Sequence, residues 1–122
     1  NLMLRIAVDL DGTISENKKP GQSYEDVKPL PNAVEVLNRL RDEGYYIVIY
    51  TARNMATYNN NLGQIIAHQA PLVSKWLTDY NIPHDELVFG KPHVDYFIDD
   101  KSITFTDWNE IYSTLKQKED NK

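Results

Sequence analysis

The chain has 122 residues, 41% of them apolar, which suits one domain, spanning residues 1–122, around a single core. Its net charge of −5 argues against a general nucleic-acid surface, and no run approaches the eighteen or so apolar residues of a membrane span. The lack of cysteine excludes disulfides, thiolate metal sites and cysteine nucleophiles, and with no leader pattern visible the default location is cytoplasmic.

Leu4 to Val8 is a short run of mostly β-favouring apolar residues, expected to form a buried strand. From Gly12 to Lys28 the chain is polar and carries Pro20-Gly21, a turn signal, so a loop or flap is expected. Pro31 suits the first turn of a helix whose buried face is Ala33, Val36, Leu37 and Leu40, and Gly44 can end it in the left-handed conformation. Tyr45 to Tyr50 reads as a second buried strand. Residues 54–69 begin polar and asparagine-rich and are long for a strand-to-helix connection. Pro71 is expected to open the next helix, with Leu72, Val73, Trp76, Leu77 and Tyr80 on one face. Leu87 to Phe89 and Tyr96 to Ile98 are two further short strands. Asp107 and Glu110 have capping-box-like spacing before a helix that buries Trp108, Ile111, Tyr112 and Leu115, and residues 116–122 form a frayed tail.

Alternating strands and helices indicate an α/β fold, a Rossmann-like three-layer sandwich with a mainly parallel sheet. Ligands of such sheets bind beyond the carboxyl ends of the strands. Each expected strand ends there in a chemically capable group: Asp9 and Asp11, then Thr51, then Lys91, then Asp99 and Asp100. Clustered carboxylates disfavour one another's ionisation, so a cation must compensate them. Oxygen donors without histidine or cysteine suit Mg²⁺, and with Lys91 and the Thr51 hydroxyl they would make a pocket for a phosphoryl group. A carboxylate attacking phosphorus would divide hydrolysis into two easier steps, with a second carboxylate moving the protons. Turn amides at Leu10 and Asp11 could face the phosphate oxygens.

DLDGT after a strand, a strand ending in Thr51, Lys91 within GKP, and the acidic pair of IDD together resemble the haloacid dehalogenase superfamily of phosphohydrolases. The small size, the TARNM stretch and the absence of sequence for a separate cap domain are most similar to capless members associated with capsule or surface-polysaccharide synthesis. The resemblance implies that Asp9 is the nucleophile and Asp11 the general acid/base. It places Thr51 and Lys91 on the phosphoryl group and the nucleophile, and Leu10, Ala52 and Arg53 at the substrate. It also implies Mg²⁺ held by the Asp9 carboxylate, the Asp11 main-chain carbonyl and Asp99, with Asp100 in support. The implied substrate is a small phosphorylated metabolite such as a sugar phosphate.

Arg53 could contact substrate phosphate or pair with an acid, and His93 could line the pocket. Tyr24, Tyr58 and Asn59 to Asn61 read as polar loop, and Trp76 and Trp108 as core. Two other functions compete: a response-regulator-like phosphoacceptor module, whose strand order disagrees with this chain, and a catalytically silent binding protein of the same fold. Residues 54–69 carry Met55, Tyr58, Leu62, Ile65 and Ile66. Their apolar surface suggests a homo-oligomer, dimer or tetramer, in which this segment roofs an active site.

Overall fold

Three parallel strands lie in the order β1-β2-β3: Arg5–Asp9, Tyr46–Thr51 and Glu86–Phe89. The computed structural model describes residues 4–122; residues 1–3, on which the reading of the N-terminus partly rests, fall outside that range. β2 alternates buried and half-buried positions, with Ile47 and Ile49 fully enclosed, because its two faces alternate toward the core. Parallel neighbours need a crossover, and helices α1 (Ala33–Asp42) and α2 (Leu62–Asp79) supply the two here. The register sets Asp9 beside Tyr50 and Thr51 beside Phe89. The carboxyl ends of all three strands therefore finish level, and the groups that follow them meet at one edge. This is the Rossmann-like α/β arrangement expected from the alternation of elements.

α1 buries Ala33, Val36, Leu37 and Leu40, the stripe anticipated from the 3.6-residue period. Gly44 then turns the chain at φ +97°, a conformation that costs glycine nothing. α1 packs against α3 (Trp108–Asp120), whose cap Asp107 accepts a hydrogen bond from the Glu110 N–H. α3 continues through the residues expected to fray. Lys116 bonds Glu43 at the end of α1, and the run contains good helix formers.

α2 begins earlier than expected. Asn61 caps it by accepting from the Gln64 N–H, and Pro71 lies inside it rather than at its start. Proline costs a helix interior a hydrogen bond and a clash, yet one continuous face (Ile65, Gln69, Val73, Trp76 and Leu77) is buried on both sides of it. Tertiary burial overrides the local signal. The connection after β2 is correspondingly short, residues 52–61, and its asparagines have a conformational role. Asn54, Asn59 and Asn60 take φ of 63°, 49° and 63°, the left-handed region that asparagine tolerates. Met55 and Ile65 of the expected apolar roof are buried inside the chain, whereas Leu62 and Ile66 are nearly half exposed.

The fourth expected strand does not form. Tyr96 to Ile98 lie in irregular chain, and among the described residues β1 pairs with β2 only. A strand parallel to β3 must re-enter the sheet from its opposite end, which normally takes a dozen or more residues, and only residues 90–95 intervene. Ile98 is 98% exposed in consequence. A groove of about 850 Å³ runs along this side of β1, bordered by Ile6 and Val8, by Trp108 and by the 99–105 segment. Among the described residues no helix is long and apolar enough to cross a membrane.

Candidate active site

The DLDGT element folds as a tight turn at the end of β1. The N–H groups of Thr13, Ile14 and Ser15 all converge on the Leu10 carbonyl at 3.3, 2.9 and 3.0 Å. Gly12 makes this possible at φ +81°, with the Asn17 side chain close enough that a Cβ would lie 3.1 Å from it. Leu10 is buried beneath the turn, while Asp9 and Asp11, on either side of it, line one pocket. The Leu10 N–H donates to the Tyr50 carbonyl at 3.2 Å, so it belongs to the sheet and not to a phosphate site. The pocket has a volume of about 480 Å³, and Ala52, Lys91 and the flap residues Lys18 and Tyr24 contribute to its walls.

Each carboxylate has its own cation. The Lys91 ammonium lies 3.2 Å from Asp9 Oδ1, set between the rings of Tyr50 and Phe97 at 4.6 and 4.7 Å. Its backbone is fixed by an N–H bond to the Thr51 carbonyl, after Gly90 has turned the chain at φ +96°. Lys91 thus reaches the end of β1 despite its short spacing to Asp99. Asp11 is gripped by Arg53, whose Nη2 donates to Oδ1 at 2.7 Å and whose Nε donates to Oδ2 at 3.2 Å. Two negative groups thus face two positive ones, and direct ion pairing offsets part of the repulsion between the carboxylates.

Several assignments change with this geometry. Thr51 is 1% exposed, and its hydroxyl accepts from the Arg53 N–H at 3.0 Å and donates to Asp11 at 3.4 Å. It supports the acid and the chain after β2 rather than facing a phosphoryl group. Arg53 contacts Asp11, the acid-pairing alternative, in place of a free substrate contact. Asp99 and Asp100 are exposed, and the Asp99 carboxylate accepts from the Lys101 N–H at 2.7 Å. They line, with Asp9, the groove of about 850 Å³ along β1, and among the described residues no group of three acids or histidines is placed to hold a metal. His93 does line the pocket.

The structure adds contacts that sequence inspection did not assign. The Thr13 hydroxyl donates to Asp9 Oδ2 at 3.4 Å; its place in DLDGT was the available signal. Tyr24, in a single 3₁₀ turn of the flap, stacks on the Arg53 guanidinium at 3.9 Å. Burial pushes its hydroxyl above the ordinary tyrosine range, the Asp11 charge adds to this, and Arg53 partly offsets it. Gln69 of α2, 5% exposed, accepts from Arg53 Nη1 at 3.4 Å. Nothing in the sequence marked it. Tyr58 stacks on His68 at 5.1 Å, tying the turn after β2 to α2.

The model of the haloacid dehalogenase-like hydrolases matches residues 6–120. No curated protein matches the chain. A crystal structure of a protein from Vibrio cholerae is 34% identical and covers 95% of this chain and 99% of its own, with a TM-score of 0.78. A conserved protein from Bacteroides thetaiotaomicron is similar at 21% identity, 96% and 93% coverage and a TM-score of 0.58. A D,D-heptose 1.7-bisphosphate phosphatase from B. bronchiseptica, complexed with magnesium and phosphate, shares the fold at 18% identity, 97% and 64% coverage and a TM-score of 0.51. Family match, strand order and the paired aspartates at the end of the first strand agree: the chain belongs to the haloacid dehalogenase-like hydrolases.

Proposed function

We propose that the chain is a Mg²⁺-dependent phosphomonoester hydrolase that works through a phosphoaspartate on Asp9. The observation that carries this reading is the pair Asp9 and Asp11 at the mouth of one pocket, with the Lys91 ammonium 3.2 Å from Asp9. An Asp9 oxygen attacks phosphorus as the ester P–O bond breaks, and the leaving oxygen takes a proton from Asp11. Water then attacks the same phosphorus and gives its proton to Asp11. The bond to Asp9 breaks, and inorganic phosphate leaves. Lys91 draws the phosphoryl group to the nucleophile and offsets its charge.

The donor types fit Mg²⁺: the Asp9 carboxylate and the Asp11 main-chain carbonyl are hard oxygen ligands at the pocket. A bound ion would neutralise phosphoryl oxygens. Asp99 and Asp100, which line a groove along β1 with Asp9, would supply further carboxylates. A pocket of about 480 Å³ is at the scale of a small metabolite, and the sugar phosphate handled by the B. bronchiseptica neighbour is of that class. The test is hydrolysis of p-nitrophenyl phosphate with and without Mg²⁺, for wild type and Asp9→Asn. Loss of at least about a thousandfold in a folded Asp9→Asn protein is expected of a lost nucleophile. Undiminished turnover by that variant would remove Asp9 as the nucleophile, and no turnover by wild type on any of a panel of phosphorylated metabolites would leave the silent binding protein.

We also propose a homo-oligomer. Leu62 and Ile66 on α2 and Val88 on the edge strand β3 remain 45%, 46% and 42% exposed, and a second copy of the chain could cover them. Light scattering at assay concentration is the check, and a monomer with full activity would dismiss the idea.

A further inference from the structure

Arg53 is an arginine buried among groups that account for each of its nitrogens. Its side chain is 4% exposed. Nε and Nη2 donate to the two oxygens of Asp11, and Nη1 to Gln69 Oε1. One face of the guanidinium is covered by the Tyr24 ring at 3.9 Å. Its backbone N–H, in turn, donates to the Thr51 hydroxyl, which also reaches Asp11. A substrate-binding arginine would keep a free fork facing the pocket. This one presents its fork to the acid.

We propose that Arg53 is a positioning residue for Asp11, and that Tyr24 ties the flap to the reaction through it. The inference rests on the acid/base role proposed for Asp11. A carboxylate on a turn rotates freely about its own bond. Two parallel donors from one rigid plane fix its rotation, and an ammonium cannot do so. Proton transfer tolerates little misplacement, because the donor must lie within hydrogen-bond reach of the leaving oxygen. Gln69 anchors the guanidinium from α2 below, and Tyr24 closes on it from the flap above. Each Asp11 oxygen also accepts from a hydroxyl, Oδ1 from Ser15 at 3.5 Å and Oδ2 from Thr51 at 3.4 Å, so substrate or water meets the carboxylate by taking the place of one of these two long bonds while the fork stays in place. Without the ring on the guanidinium face, the grip on Asp11 loosens. Flap position and acid alignment are one event.

The test is a double-mutant cycle with p-nitrophenyl phosphate and an alkyl phosphate, both with Mg²⁺. Arg53→Gln is expected to lower kcat roughly tenfold to a hundredfold with KM within about threefold, the pattern of a lost transition-state interaction. In an Asp11→Asn background the same change should cost less than about twofold, since there is no acid left to position. Arg53→Lys keeps the charge but not the fork and should recover little. Tyr24→Phe keeps the ring and should lose clearly less kcat than Tyr24→Leu. Tyr24→Leu should lose roughly threefold to tenfold, and that loss too should vanish in Asp11→Asn. The Tyr24 variants keep the test decisive if Arg53→Gln does not fold. A tenfold rise in KM on removing the guanidinium, or losses that multiply fully with Asp11→Asn, would make Arg53 a phosphate ligand and overturn the inference. Wild-type turnover by Asp11→Asn itself would overturn the acid/base role, a separate result read from a separate variant.

Discussion

The DLDGT turn is tied to α3 by a hydrogen bond, and cutting it has a calculable cost. Trp108 is the first residue of α3, 2% exposed, and its Nε1 donates to the Thr13 carbonyl at 2.7 Å. Phe105 packs against the same indole at 5.5 Å between ring centroids. Trp108→Phe keeps an aromatic ring there but removes the donor. An orphaned buried carbonyl costs about 1–3 kcal/mol. The Thr13 end of this bond is only half-buried, so the lower half of that range applies. The smaller ring gives up about two CH₂ equivalents of burial, about 1.6 kcal/mol at ~0.8 kcal/mol each. The sum is about 2.5–3.5 kcal/mol, a large share of the roughly 5–15 kcal/mol available to a domain of this size. Urea unfolding of Trp108→Phe beside wild type would show it as a lower midpoint with an unchanged slope. Activity at temperatures where the variant is fully folded should fall as well, because Thr13 also touches Asp9. A stability change below about 0.5 kcal/mol, the size of an ordinary surface substitution, would mean that α3 does not hold the turn.

Two other perturbations probe the site and the helix pair. Asp99→Asn should weaken Mg²⁺ binding more than Asp11→Asn, which keeps its main-chain carbonyl; calorimetric titration giving the reverse order would show the metal roles to be exchanged. Hydrogen bonds from Lys116, and then from Tyr112, hold the Glu43 carboxyl below its ordinary value. Its folded-state value therefore lies below the unfolded one, so its contribution to stability is complete above the ordinary glutamate range and is lost as pH falls through the depressed value. Since Glu43 is exposed, the effect is small, and it should appear as an acid-side difference between wild type and Glu43→Gln melting curves that closes at low pH. Equal separation of the two curves at every pH would disprove the linkage.

Local chemistry made much of this protein legible. The helical stripe of α1, the capped start of α3, the left-handed glycine after α1 and the strand leading into DLDGT are each written within a few neighbouring residues, because hydrogen bonding in turns and caps has that reach. The same locality brought Asp9, Asp11 and Lys91 to one edge, since parallel strands of matched register finish level. What tertiary structure alone decided is how the charges pair and where the local signals lose. Arg53 meets Asp11 and Gln69 from separate segments, and no spacing rule links positions so far apart in the chain. Pro71 announced a helix start and was absorbed, because the burial of α2 from Ile65 to Leu77 outweighs one missing N–H. Tyr96 to Ile98 have the composition of a strand but not the length of approach to enter a parallel sheet, so the carboxylates that follow them stay in solvent. Propensity acts residue by residue. Chain connectivity and burial act on the whole fold, and where they conflict with propensity in this protein they prevail.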